Sequence, residues 1–407
     1  MTTAPPWRLR MALVAALIAA VALMLSGCSP TQIVRGEDDV AEQWTVPAFY
    51  KQPRPLPPGG QGELIRSQRV LGAPDGSTAW RVLFHSTDTF GHPVVNSGLV
   101  IAPTSPAPEG GRTVVSWGHP TTGSAQRCAP SSGIDPFDLV KGLTDLLKHG
   151  YVVTYTDYTG MGTAGPNSYL VGGTEGRNVL DAARAARQLL GRDASDRLVL
   201  WGHSQGGQAA LFAAQLARAY APELDLRAVA VAAPAVDLGA LLQADIGDVS
   251  GVTISSYAFT AFAEVYGPST PGAELDSILT PAAVAALPSM AELCLIAQNK
   301  QLHAIGQPLI GDFLSRDPET TEPWKSLLAQ NTPGAVAVPV PLFVAQGETD
   351  SLVRPADTAA FVAHERSLGV DVTFERIPDT GHGLVAVRAL DALFDWLPTV
   401  GADASEH

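Results

Sequence analysis

The run Arg197-Leu198-Val199-Leu200-Trp201 is apolar enough for a buried strand. It passes without a spacer into Gly202-His203-Ser204-Gln205-Gly206-Gly207 and then into an alanine-rich segment at 208–215. A buried strand that restarts at once as a helix leaves few folds open. A plain connection needs one glycine at most, whereas here three surround a single serine. Such small neighbours allow strand and helix to approach closely, and they hold the serine in a sharp, strained turn that presents its side chain. Residues 202–206 fit G-x-S-x-G. The pattern is short and arises by chance, but the strand before it and the helix after it supply the context it requires. The unpaired amides of that helix start face any anion formed near Ser204.

The rest of the chain supports a sheet built around this turn. Strand-like segments at 79–88 and 93–103 flank a hairpin turn at Asp88–His92. From about residue 112 onward, buried strands alternate with amphipathic helices: 112–120, 139–150, 151–160, 174–189, 197–204, the alanine-rich segment and 226–236. Alternation of this kind predicts an α/β fold, a mostly parallel central sheet with helices on both faces, the opening hairpin adding an antiparallel edge. Between about 237 and 339 the alternation stops and the pattern reads as helices and loops, at 258–267, 280–300 and 323–331. A buried strand returns at 340–347, followed by a helix, a strand and a final helix at 383–397. The expected organisation is a core at 62–239 and 337–400, a helical cap inserted at 240–336, and a short tail at 401–407.

The N-terminus directs the chain out of the cell. Arg8 and Arg10 precede an uncharged apolar run from Met11 to Leu25. The run is short for a membrane span and fits the apolar region of a signal peptide. It ends in Leu25-Ser26-Gly27-Cys28, which resembles the lipobox of bacterial lipoproteins. The resemblance implies cleavage before Cys28 and a lipid anchor on it at the outer face of the cell membrane. An ordinary secretion signal with an incidental cysteine is the alternative. Residues 29–61, rich in proline and glycine, read as a linker holding the body off the membrane. In an oxidising compartment the remaining pair, Cys128 and Cys294, suggests one disulfide, with two buried thiols as the alternative.

A serine hydroxyl is a weak nucleophile near neutral pH and needs a base. His203 adjoins Ser204, but successive side chains at such a turn diverge. His382 lies in Gly381-His382-Gly383 between the last strand and the last helix, on the same edge of the sheet as the turn. The imidazole in turn needs a carboxylate to set its tautomer. Asp350, directly after the restored strand, is the candidate, with Glu348 and Asp379 as competitors. The order Ser204, Asp350, His382 is that of α/β-hydrolases.

The chain resembles that superfamily and, more narrowly, the secretory lipases. The likeness is carried by "SWGHPTTG", "YTDYTGMG", "GHSQGG", "GETDSLV" and "TGHG" across most of residues 62–400. It implies carboxylic ester hydrolysis through Ser204, Asp350 and His382, with a helical cap between the sixth and seventh core strands. It also supports pairing of Cys128 with Cys294. An oxyanion formed on the substrate would take the backbone amide of Gln205 as one donor. The second is less evident, because Pro120 has no N–H. Thr121 can donate, and His119 is the alternative. The segment Asp157–Gly162 reads as a glycine turn held by Asp157, with pocket lining as the other possibility.

Charge narrows the partners. The formal net charge is −14, which argues against nucleic acid. No metal or organic cofactor is implied, and lipid or other ester substrates are. Oligomeric state is not legible. An acyltransferase using the same three residues, a peptidase and an idle lipid-binding lipoprotein are the competing readings. The intact trio of residues weighs against the last of these.

Overall fold

The computed structural model describes residues 46–245 and 247–404. The signal segment with Cys28, and residues 29–45 of the predicted linker, lie outside the described residues. The strands are β1 (Leu64–Val70), β2 (Ser77–Thr87), β3 (Pro93–Pro103), β4 (Arg112–Gly118), β5 (Val152–Thr156), β6 (Ala194–His203), β7 (Asp225–Ala232), β8 (Leu342–Gly347) and β9 (Val372–Ile377). They form one sheet in the order β1-β2-β3-β5-β4-β6-β7-β8-β9. β1, β2 and β3 pair antiparallel, as do β3 and β5, and every pairing from β5 through β4 to β9 is parallel.

The central strands β4, β5 and β8 are buried along their whole length, as helices on both faces require. Alternate residues of the parallel strands feed two cores. Val114, Leu198, Leu200, Val229 and Val344 pack under the helices Gly172–Leu190, Gln205–Tyr220 and Pro355–Ser367. Val115, Val199, Trp201, Ala230 and Phe343 face the helices Leu143–His149 and Leu390–Trp396. Helix Gly172–Leu190 lies close against Gln205–Tyr220, because both turn alanines toward each other; a Cβ on Gly176 would come within 2.8 Å of the Ala213 nitrogen.

Helices Leu238–Asp245, Val249–Tyr266, Pro281–Ala291, Leu295–Gly306 and Trp324–Gln330 separate β7 from β8. Counted along this chain, the insertion follows the seventh strand, because β1 adds an edge strand ahead of the count that the resemblance implies. Its Phe259, Phe262 and Trp324 belong to the same apolar core as the sheet. The insertion is therefore anchored by burial and does not stand apart from the body.

Several boundaries differ from the sequence reading. The helical stretch read at 280–300 is divided at Glu292–Cys294, because Cys294 is bonded to Cys128 with Cα atoms 5.3 Å apart and the Leu295 amide donates to the Thr122 carbonyl at 2.8 Å. These two ties draw the backbone to the core edge. The final helix is likewise two pieces, Val385–Arg388 and Leu390–Trp396, meeting at buried Ala389. The end of the predicted linker does not hang free. Phe49 and Tyr50 are buried with Leu83 and Val95, since two adjacent aromatic rings gain more from burial than from solvent.

Candidate active site

Each candidate residue stands at the end of a parallel strand. Ser204 follows β6, Asp350 lies three residues past β8, and His382 lies in the loop after β9. The chain at Ser204 turns with φ 57° and ψ −121°, a left-handed conformation that a non-glycine residue holds only under constraint. The constraint is visible. The Ser204 amide donates to the Ala232 carbonyl, and its own carbonyl accepts from Gly207, Gln208 and Ala235. Gly206 lies against the end of β4, where an added Cβ would meet the Gly118 carbonyl oxygen at 1.9 Å; on Gly202 it would meet the Gly206 oxygen at 2.1 Å. The glycines therefore serve this close crossing.

Ser204 Oγ lies 2.9 Å from His382 Nε2, and His382 Nδ1 lies 2.8 Å from Asp350 Oδ2. Asp350 is buried, and its other oxygen accepts the amides of Leu352 and Val353 at 2.9 Å each. Its competitors are engaged elsewhere. Glu348 pairs with Arg376 on the surface. Asp379 occupies a left-handed turn at φ 49°, and Arg388 holds its carbonyl.

His203 has a role that sequence reasoning missed. Its Nε2–H donates to the His382 carbonyl at 3.0 Å, and the two rings lie 4.9 Å apart. Burial, and then the neighbouring His382, push its pKa down to about 3, so it stays neutral and acts as a brace for the His382 loop. Gln346 is a second brace. It donates to the Val353 carbonyl at 3.0 Å and receives the Thr358 hydroxyl at 2.7 Å, under the Asp350 turn.

The Gln205 amide occupies the first position of helix Gln205–Tyr220, where no intrahelical acceptor exists. Thr121 lines the small cavity beside Ser204 together with Gln205, and its hydroxyl pairs with the Tyr169 hydroxyl at 2.8 Å. His119 does not line that cavity. It is buried against Tyr158, with Nδ1 on the Pro120 carbonyl at 2.7 Å, and burial lowers its pKa to about 4. Asp157 serves as a tie between strands and loops: it accepts the Ser97 hydroxyl at 2.5 Å and the Ser131 amide at 2.8 Å.

The cavity beside Ser204 measures about 10 Å³ and is walled by Tyr169, Leu241, Ile254, Leu352 and Val353. That is room for about one water. Leu241 and Ile254 come from helices of the insertion, which closes this side of Ser204. A separate cavity of about 430 Å³ lies between the β2–β3 turn and the end of helix Val249–Tyr266, lined by Phe90, Pro166, Glu264 and Val265. Among the described residues no cluster of three or more His, Cys, Asp or Glu side chains suits a metal ion, and no helix is long and apolar enough to cross a membrane.

Comparison with known proteins relates this chain to lipases and esterases. The profile of the family described as secretory lipase matches residues 138–399. Lipase 6 of Candida albicans is 26% identical over 384 residues, covering 86% of this chain and 80% of the yeast protein. Among solved structures, lipase A of Candida antarctica superposes with a TM-score of 0.72 at 19% identity, covering 88% of this chain and 86% of its own. The rice cell wall degrading esterase LipA of Xanthomonas oryzae gives 0.69 at 20% identity, covering 83% of this chain and all of that one. At these identities the two structures speak to the fold.

Proposed function

This chain belongs to the secretory lipase family and is a carboxylic ester hydrolase of the α/β-hydrolase fold, and we propose that it works through an acyl-enzyme on Ser204. The observation that carries this reading is the unbroken hydrogen-bonded line from Ser204 Oγ through His382 to Asp350. His382 Nε2 takes the hydroxyl proton as Ser204 attacks the ester carbonyl. The tetrahedral oxyanion is held by the amides of Gln205 and Thr121. His382⁺ passes the proton to the leaving alcohol, and the acyl group remains on Ser204. A water deprotonated by His382 then attacks the acyl carbonyl, His382⁺ returns the proton to Ser204 Oγ as the acyl–Oγ bond breaks, and the acid is freed. Asp350 keeps Nδ1 protonated and steadies the imidazolium throughout. A fluorophosphonate probe is expected to label Ser204 stoichiometrically, as read by peptide mass spectrometry. An unlabelled Ser204 in folded protein would falsify the assignment.

The substrates are acylglycerols or other lipid esters. The apolar side chains of Leu241, Ile254, Leu352 and Val353 around Ser204 favour an acyl group without charge. The protein is exported and anchored through lipid on Cys28 at the outer face of the membrane. The entry of the chain into the body supports this arrangement. The Tyr50 hydroxyl pairs with Ser131 at 2.5 Å, and Gln52 donates to the Ala164 carbonyl at 2.7 Å. Ser131 and Ala164 lie in the loops after β4 and β5, on the edge that carries Ser204. Cys28 lies 18 positions before Val46, a contour of at most ~60 Å. An anchor there keeps the site close to the membrane. In an expressing bacterium, Cys28→Ser is expected to move the enzyme from the membrane fraction to the soluble exported fraction. Unchanged fractionation would sink the anchor.

A further inference from the structure

Glu175 sits in the first turn of helix Gly172–Leu190, fully buried. Its Oε1 accepts the Gln205 side-chain amide at 2.7 Å and the Leu170 backbone amide at 3.1 Å. Its Oε2 is buried with no partner, and so is the Oε1 of the same Gln205. Two orphan oxygens thus belong to a pair already joined at its other end. One proton satisfies both. A protonated carboxyl donates from one oxygen and accepts at the other, and it matches a primary amide edge to edge. Without that proton both oxygens remain buried acceptors with no donor.

The surroundings favour the proton. Of the titratable groups on neighbouring elements, Tyr158, after β5, and Tyr169, in the following loop, feel the Glu175 charge; burial keeps both phenols neutral. Among the described residues no cation acts on it; burial drives it well above the usual carboxylate range, against the pull of its two hydrogen bonds. The helix N-terminus is a partial positive charge that favours an ionised carboxylate, but it does not match the penalty for an unpaired charge in a dry interior.

The position matters because of what the carboxyl holds. Gln205 supplies the amide proposed to bind the oxyanion. Leu170 walls the same small cavity and is held at φ 57°. Gln208 reinforces the grip, donating to the Leu170 and Asn331 carbonyls at 3.1 and 2.7 Å. We propose that Glu175 is a positioning residue whose carboxyl stays protonated, closing a two-bond acid–amide pair with the Gln205 side chain. The pair fixes the oxyanion donor and keeps negative charge away from the oxyanion. The inference rests on the assignment of Ser204 as nucleophile, and fluorophosphonate labelling of the wild type tests that assignment separately.

Glu175→Gln and Glu175→Ala distinguish the roles. A glutamine repeats both bonds as an amide–amide pair without a titrating proton. Glu175→Gln is expected to keep kcat within about threefold of wild type, whereas Glu175→Ala loses kcat by about 10–100-fold with little change in KM, because a loosened oxyanion donor acts on the transition state. Stability supplies an independent readout. The folded protein keeps the Glu175 proton where the unfolded chain loses it, so wild-type stability falls as pH rises above the ordinary glutamate range. Glu175→Gln lacks that loss. Its melting temperature is therefore expected to rise relative to wild type between pH 4 and pH 8 by several degrees. A constant difference across that range, a Glu175→Gln kcat as low as that of Glu175→Ala, or a wild-type kcat in Glu175→Ala overturns the proposal.

Discussion

Replacing Ser204 by alanine is expected to lower kcat for a soluble p-nitrophenyl ester by about 10⁶-fold, to the limit of detection, with the fold intact. The reasoning is structural. Among the described residues the side-chain bond lost is that from Oγ to His382 at 2.9 Å. The backbone bonds that hold the turn involve the Ser204 amide and carbonyl and survive the change. Alanine meets the same φ of 57° as serine, so the strain is not increased. The melting temperature is expected to shift by no more than ~2–4 °C. What turnover remains comes from the oxyanion amides and from binding. If Ser204→Ala retains wild-type turnover while folded, another nucleophile is at work and the mechanism proposed for this chain is wrong.

Asp350→Asn is expected to lower kcat by about 10⁴-fold, again with little loss of stability. Asp350 Oδ1 is held by two backbone amides, those of Leu352 and Val353. In the asparagine variant the carbonyl oxygen takes that place, because the amide nitrogen cannot accept. The nitrogen then faces His382 Nδ1 and donates to it. His382 is forced into the tautomer with its proton on Nε2, toward Ser204, where it cannot receive the hydroxyl proton. Fluorophosphonate labelling should slow in parallel with ester turnover. A variant within about tenfold of wild type would mean that another group, such as the carbonyl-bound His203, suffices to orient His382.

Much of this site is written in contiguous residues. Glycines at 202, 206 and 207 announce a close strand–helix crossing because a side chain there meets backbone, and Ser204 falls at its apex. Asp350 is legible because it follows β8, a buried strand whose apolar run is visible in isolation, and His382 because it lies between the last strand and the last helix. Glu175 was not legible in this way. Within "TEGRNVLDAARAARQL" it reads as an ordinary solvated glutamate in a first helical turn. A signal did exist. Gly172, Gly173 and Gly176 surround it, and glycines clustered at a helix start mark close packing. The linker was misjudged at its end for a related reason: proline and glycine dominate its composition, while Phe49 and Tyr50 decide where it docks.

By itself the sequence determined the α/β class and pointed to Ser204 as the proposed nucleophile, with Asp350 and His382 following in that order. Those depend on periodicity, on backbone sterics and on strand ends, all local properties. Only the tertiary structure separated Asp350 from Glu348 and Asp379. All three lie near strand ends, and the difference is which way each side chain points and what meets it there. The same holds for the volume beside Ser204, set by Leu241 and Ile254 from a distant insertion. It holds too for the buried pair of Glu175 and Gln205, joined across 30 residues of chain. Burial, reach and protonation belong to neighbours that only folding brings together.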